Sequence, residues 1–216
     1  MDVLKTMEVR ASQRAFLDRP VSKDQIQTLL AAASRAPSAL NLQPWELTVV
    51  RGEELSRLSR ALLKSYRERH LGCHTGSDRP FPARLKARQL SSFIGLLDLL
   101  AKDESQVRDF INQGSLSFYG APTAVIITKE KLFPDQYLTS IGIMLGYLIL
   151  AAQALGLATC PIGLIRTYEE IVLDFINMED RDLVAGLALG YADPGAPVNQ
   201  LRTPREGMDA LVHWYG

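Results

Sequence analysis

The 216-residue chain is long for one ordinary domain and short for two, so a single decorated domain spanning 1–216 is expected. Lys plus Arg (24) balance Asp plus Glu (24) with no basic tail or acidic block, which argues against nucleic acid or an anionic membrane as the main partner. Two cysteines, Cys73 and Cys160, make no disulfide framework, and Met1–Lys5 lacks the basic start and apolar core of a signal peptide; both suit a reducing cytoplasm.

Val3 to Val9 reads as a short helix delivering Arg10-Ala11-Ser12-Gln13-Arg14. Two guanidinium forks with a hydroxyl between them can cradle a phosphate monoester, which wants bidentate donors; a solvated charged turn fits the same residues. Ser22 with Gln25 three residues on opens a second helix by a capping box. Ile26, Leu29, Leu30 and Ala33 then fall on one helical face. Pro37 stops the pattern, because proline fixes φ and lacks an N–H. A turn of small and polar residues, Ser38-Ala39-Leu40-Asn41, leads through Gln43-Pro44-Trp45 into a β-run from Glu46 to Val50. The Ser38 hydroxyl and the Asn41 amide can aim at a flat heterocycle or can satisfy the local backbone.

Glu53 to Arg69 reads as an amphipathic helix carrying Leu55, Leu58, Leu62 and Leu63. His70, Cys73 and His74 lie in a Gly- and Pro-broken stretch up to Pro82, and no second ligand cluster elsewhere would complete a tetrahedral metal site. No metal is expected there, and the stretch reads as a surface loop. Ala83 to Lys102 and Glu104 to Asn112 look helical. Core packing is the expected work of most of the Phe93, Phe110, Phe118 and Tyr119 rings, with a pocket lining as the alternative. Gly120-Ala121-Pro122 opens Thr123 to Thr128, a continuous apolar strand suited to the inside of a sheet.

Tyr137 to Ile165 contains no charged residue, and its middle approaches membrane-spanning length. Gly142, Gly146, Gln153 and Gly156 inside it and the lack of Lys or Arg flanks favour instead a helix buried at the centre of a soluble protein. It ends in Leu155-Gly156-Leu157-Ala158-Thr159-Cys160-Pro161-Ile162-Gly163-Leu164. Thr167 with Glu170 predicts a further capping box and a helix to about Met178, and Leu183 to Tyr191 is strand-like. From Asp193 an extended tail carries Arg202-Thr203-Pro204-Arg205-Glu206. It ends with Leu211, Val212, Trp214 and Tyr215, too apolar a set to leave in water.

Five of these segments, in order from Arg10 to Arg205, resemble the nitroreductase family: R-x-S-x-R, P-S-x-x-N-x-Q-P-W, the G-A-P strand lead-in, A-A-x-x-x-G-L-x-x-x-P-x-G, and R-x-P-R-E. The resemblance implies an α+β fold, a mainly antiparallel central sheet flanked by helices, in an intertwined homodimer. It implies a variable cover over about 66–119 and a C-terminal arm over about 193–216. It further implies bound FMN, with the Arg10, Ser12 and Arg14 segment on its phosphate and ribityl chain, Arg14 near the pyrimidine end of the ring, and Arg205, or Arg202, completing the phosphate grip. Pro37, Ser38, Ala39 and Asn41 would face the ring, whose other contacts are Pro161, Ile162, Gly163 and Leu164, with a backbone N–H near Gly163 at the reactive nitrogen.

NADH or NADPH would be the transient donor and a nitroaromatic, quinone or similar flat small molecule the acceptor, in a ping-pong sequence. Because the flavin carries the chemistry, no catalytic side chain is expected. A redox sensor or store, reductive dehalogenation, flavin cleavage, azoline oxidation, and a module that binds no flavin are the alternatives. The chain departs from the family's usual pattern at Ser140, where Asp is common, and at Gly146-Tyr147, where Gln-Asn is common.

Overall fold

The structure is a computed structural model that describes residues 2–73 and 80–216; His74 of the weighed metal cluster lies outside them. At its centre stands an antiparallel sheet of four strands, β1 (Glu46–Arg51), β2 (Thr123–Glu130), β3 (Ala158–Ile162) and β4 (Arg181–Gly190), in the order β1-β2-β4-β3. The register pairs Glu46 with Thr128 and Ile162 with Gly186. Helices α1 (Val3–Val9), α2 (Lys23–Ala33), α3 (Gly52–Arg69), α4 (Ala83–Leu100), α5 (Glu104–Leu116), α6 (Leu138–Ala154) and α7 (Glu169–Phe175) surround it. This is the α+β arrangement that the resemblance implied.

Strand β2 explains why T-A-V-I-I-T carries no alternation. Ala124 and Ile126 join the core on one face of the sheet, with Leu55, Leu58 and Leu62 of α3 and Val172 of α7. Val125 and Ile127 join the core on the other, with Ile26 and Leu29 of α2 and Met144 and Leu148 of α6. A strand covered on both faces has no solvent side on which to place polar residues. A third, smaller core joins Leu96 of α4 and Val107 of α5 to Val198 near the C-terminus, so the middle segment sits on the C-terminal arm. Phe93 and Phe110 pack there and Phe118 is fully buried.

Local signals explain most boundaries. The Ser22–Gln25 capping box forms, with the Gln25 N–H donating to Ser22 Oγ at 3.2 Å. The Thr167–Glu170 box does not. The chain is already coiled in a 3₁₀ turn over Leu164–Tyr168, so Thr167 sits inside a helical turn, and α7 starts at Glu169 without a side-chain cap. The Glu169 carboxylate instead accepts the Leu183 N–H of β4. Strand β3 was not expected as a strand. It is short and contains Pro161, which an edge strand tolerates.

Asp135–Ala154 is long and apolar enough to cross a membrane by length and composition. Here Ile141, Met144, Leu148 and Ala152 bury one face of α6 against α2 and the sheet. The opposite face is open: Ile143 and Tyr147 are 39% and 45% exposed, so the helix is not buried on all sides within one chain.

Candidate cofactor site

Helix α1 ends at Arg10, whose backbone is extended (φ −62°, ψ 129°). The following residues run beside the edge strand β3: Ser12 bridges Thr159 in parallel, and the Gln13 N–H donates to the Thr159 carbonyl at 3.0 Å. Arg10, Ser12 and Arg14 line one pocket together with Ala11, so the R-x-S-x-R residues share it.

The C-terminal arm supplies the opposite wall. Leu201, Arg202, Thr203 and Arg205 line the same pocket of about 310 Å³, together with Met7 and Glu8. Residues from both ends of the chain therefore meet here. Among the described residues none of Arg10, Arg14, Arg202 and Arg205 forms an ion pair with a carboxylate. Arg202 and Arg205 hold only neutral oxygens: Arg202 Nη1 donates to the Asn199 and Leu201 carbonyls, and Arg205 Nη1 to Thr203 and Pro204. The one carboxylate of the lining, Glu8, is held by Lys5 Nζ at 2.9 Å. Four guanidinium groups and the hydroxyls of Ser12 and Thr203, with the single carboxylate of the lining already paired to Lys5, form a donor set suited to a phosphate monoester.

Strand β3 carries the chain from this cradle to Pro161–Leu164. Ile162 and Leu164 are buried, whereas Gly163 is exposed. Gly163 lies at φ −89°, a conformation open to any residue, and a Cβ built there would meet nothing within 4 Å. Neither backbone strain nor crowding within the chain calls for glycine here. The cradle's charge reaches under this strand. Burial pushes the Cys160 thiol up, and the positive charges of Arg14 and Arg10 pull it part of the way back. Tyr119 behaves alike: burial raises its phenol, while its bond to Ser115 and the Arg14 charge lower it.

The turn after α2 lies elsewhere. It leads into β1, at the opposite sheet edge from β3 and three inter-strand spacings away, roughly 14 Å. Pro37, Ala39 and Asn41 are exposed and Ser38 is half-buried, and within one chain none of them lines the arginine pocket. Ser38 Oγ accepts the Gln43 N–H at 3.0 Å, and the Asn41 amide oxygen accepts from Gln43 Nε2 at 3.4 Å. Leu40, Asn41 and Gln43 all have left-handed φ (54°, 56° and 47°), and Leu40 is 85% exposed.

Sequence reasoning passed over Asn199, which ties the arm to the Arg14 segment. It also gave no role to Arg88, whose Nε bonds Glu206 at 2.7 Å and joins α4 to the arm. Their partners lie more than a hundred residues away in sequence, and no local pattern announces them.

The geometry is that of a central antiparallel sheet packed between helices, with an arginine-lined pocket reached from both ends of the chain, and residues 7–191 match the family model described as Nitroreductase family. The chain belongs to that family. It is 30% identical over 210 residues to the 4-nitrobenzoate reductase of Pseudomonas putida, covering 96% of this chain and 92% of that one. The crystal structure of the FMN and NADPH-dependent nitroreductase NfnB from Sphigopyxis sp. strain HMH superposes with a TM-score of 0.92 at 28% identity, covering both chains completely. The FMN-dependent nitroreductase NfnB from Mycobacterium smegmatis, solved in complex with NADPH, gives a TM-score of 0.91 at 29% identity, again over the whole of both chains.

Proposed function

We propose that this protein is an FMN-dependent oxidoreductase that uses NADH or NADPH to reduce nitroaromatics, quinones or similar flat acceptors, working as a homodimer in the cytoplasm. The observation that carries the reading is the convergence of Arg10, Ser12, Arg14, Arg202 and Arg205 on one pocket, next to the edge strand that leads on to the exposed Gly163. In the same family, the two NfnB enzymes of matching fold are FMN-dependent.

Arg10, Arg202 and Arg205, with Ser12, would hold the phosphate tail, where charge-assisted forks are strongest. FMN, when bound, supplies hydride chemistry that no side chain of the site provides. Arg14 would stabilise negative charge at the pyrimidine end of the reduced ring, and the Gly163 backbone would leave the ring room to approach.

A second copy of the chain would complete the site. The turn holding Pro37, Ser38, Ala39 and Asn41 would reach the ring from the partner subunit. The open face of α6 and the tail, where Trp214 and Tyr215 are 82% and 97% exposed, offer the apolar surface a dimer would cover. Sedimentation at micromolar concentration is expected to give twice the mass of one chain. Anaerobic titration of the yellow protein with NADH and NADPH should bleach the flavin band with at least one of them. Adding 4-nitrobenzoate or a quinone should restore it. A colourless protein that takes up no FMN would end this reading.

A further inference from the structure

Asn199 is 8% exposed and lies at the end of the Pro197–Gln200 turn. Its Oδ1 accepts the N–H of Arg14 at 2.7 Å and that of Ala15 at 3.2 Å. Its Nδ2 donates to the carbonyls of Ala15 at 2.8 Å and Asp193 at 3.0 Å. Both donor and both acceptor capacities of the amide are thus used, on backbone groups 185 and 184 residues earlier and six residues earlier in the chain. Its own carbonyl receives Arg202 Nη1 at 3.0 Å.

We propose that Asn199 is the positioning residue that fixes the spacing between the two arginine-bearing walls of the cradle. This rests on the FMN reading. The argument is one of leverage. Arg14 and Arg202 stand on opposite walls, and each is bonded directly to Asn199, one through its backbone N–H and the other through its guanidinium. Bidentate grip on a phosphate requires the forks to be held within about half an ångström, which flexible arginines reach only when their backbones are fixed. No other side chain reproduces the pattern. Aspartate matches the shape and keeps the two accepted bonds, but turns an oxygen toward the Ala15 and Asp193 carbonyls. Alanine strands the Arg14 and Ala15 N–H groups.

The test uses the phosphate itself as the variable. Wild-type, Asn199→Ala and Asn199→Asp proteins, freed of flavin, are titrated with FMN and with riboflavin, which has the same ring and no phosphate, following flavin fluorescence. Wild type should hold FMN far more tightly than riboflavin. Asn199→Ala should lose about tenfold or more in FMN affinity, and Asn199→Asp several-fold, with a clearly smaller loss in riboflavin affinity in both, because the two flavins share only the Arg14 contact to the ring.

Equal losses for the two flavins would assign Asn199 a general structural role and overturn the proposal. So would an Asp variant with the wild-type FMN-to-riboflavin ratio, which decides the matter if the Ala variant does not fold. Wild-type protein that prefers FMN no more than riboflavin would remove the phosphate cradle and the proposal with it. A wild-type preference that survives in the variants would overturn the proposal alone.

Discussion

The Ala39 N–H donates to Ser140 Oγ at 3.2 Å, so the one hydroxyl in the first turn of α6 whose residue is buried anchors the turn that follows α2. Ser140 is the position where aspartate is frequent in the family, and serine keeps an acceptor there. Ser140→Ala removes it, at a cost of about 1 kcal/mol, and should lower the melting temperature by about 2–4 °C. Turnover of a nicotinamide–nitroaromatic pair should fall several-fold as the strained turn loses its tie. Ser140→Asp retains the acceptor and places a negative charge in the first turn of a helix, where it is favoured. It should melt no lower than wild type. Thermal melts and initial rates of the three proteins check both statements.

Gly163 separates stability from function. Because nothing in the chain lies within 4 Å of a Cβ there and φ is ordinary, Gly163→Val should shift stability by no more than about 0.5 kcal/mol. If the ring lies along this backbone, the same side chain fills its place. Flavin affinity and turnover should then fall by about tenfold or more. Equal thermal melts of the flavin-free proteins, together with a weakened flavin titration, are the expected pair of results.

Gly114 makes the opposite case. A Cβ there would stand 2.4 Å from Cε1 of the Tyr119 ring, whose hydroxyl meets Ser115 Oγ at 3.2 Å. Gly114→Ala must push that ring off the helix, and overpacking of this kind costs about 1–3 kcal/mol. Denaturant midpoints should drop accordingly, and Gly114→Ala combined with Tyr119→Leu should recover part of the loss. Additive losses would show that the ring is not what the glycine accommodates.

The sequence was most readable where local physics decides. Ile26, Leu29 and Ala33 are buried at the spacing their helix requires, and Ser22 caps it. Arg10, Ser12 and Arg14 share a pocket because they stand close together on one short segment beside β3. Legibility failed where distant chain decides. Strand β3 is five residues long and holds a proline, so only its pairing with β4 makes it a strand. Asn199 has no local signature, since its clamp is made to residues near the N-terminus. The apolar run of α6 reads the same whether a face is covered by the chain's own core or by another molecule. Within one chain only the Met144–Leu148 side is covered.

Alkaline pH should weaken the fold through the two acids that sit beneath the cradle. Burial raises both the Cys160 thiol above its ordinary 9.0 and the Tyr119 phenol above its ordinary 10.0, despite the nearby positive charge of Arg14. Between the unfolded and the folded pKa of each group, the unfolded chain has released a proton that the folded chain still holds. Unfolding therefore becomes easier as pH rises. The stabilisation is complete below the ordinary value and is lost as pH passes through the raised one. Melting temperatures measured from pH 8 to 11 should fall for wild type and fall less steeply for Cys160→Ala and Tyr119→Phe. Below pH 8 the slopes of all three should coincide. An alkaline slope unchanged by either substitution would place the responsible groups elsewhere.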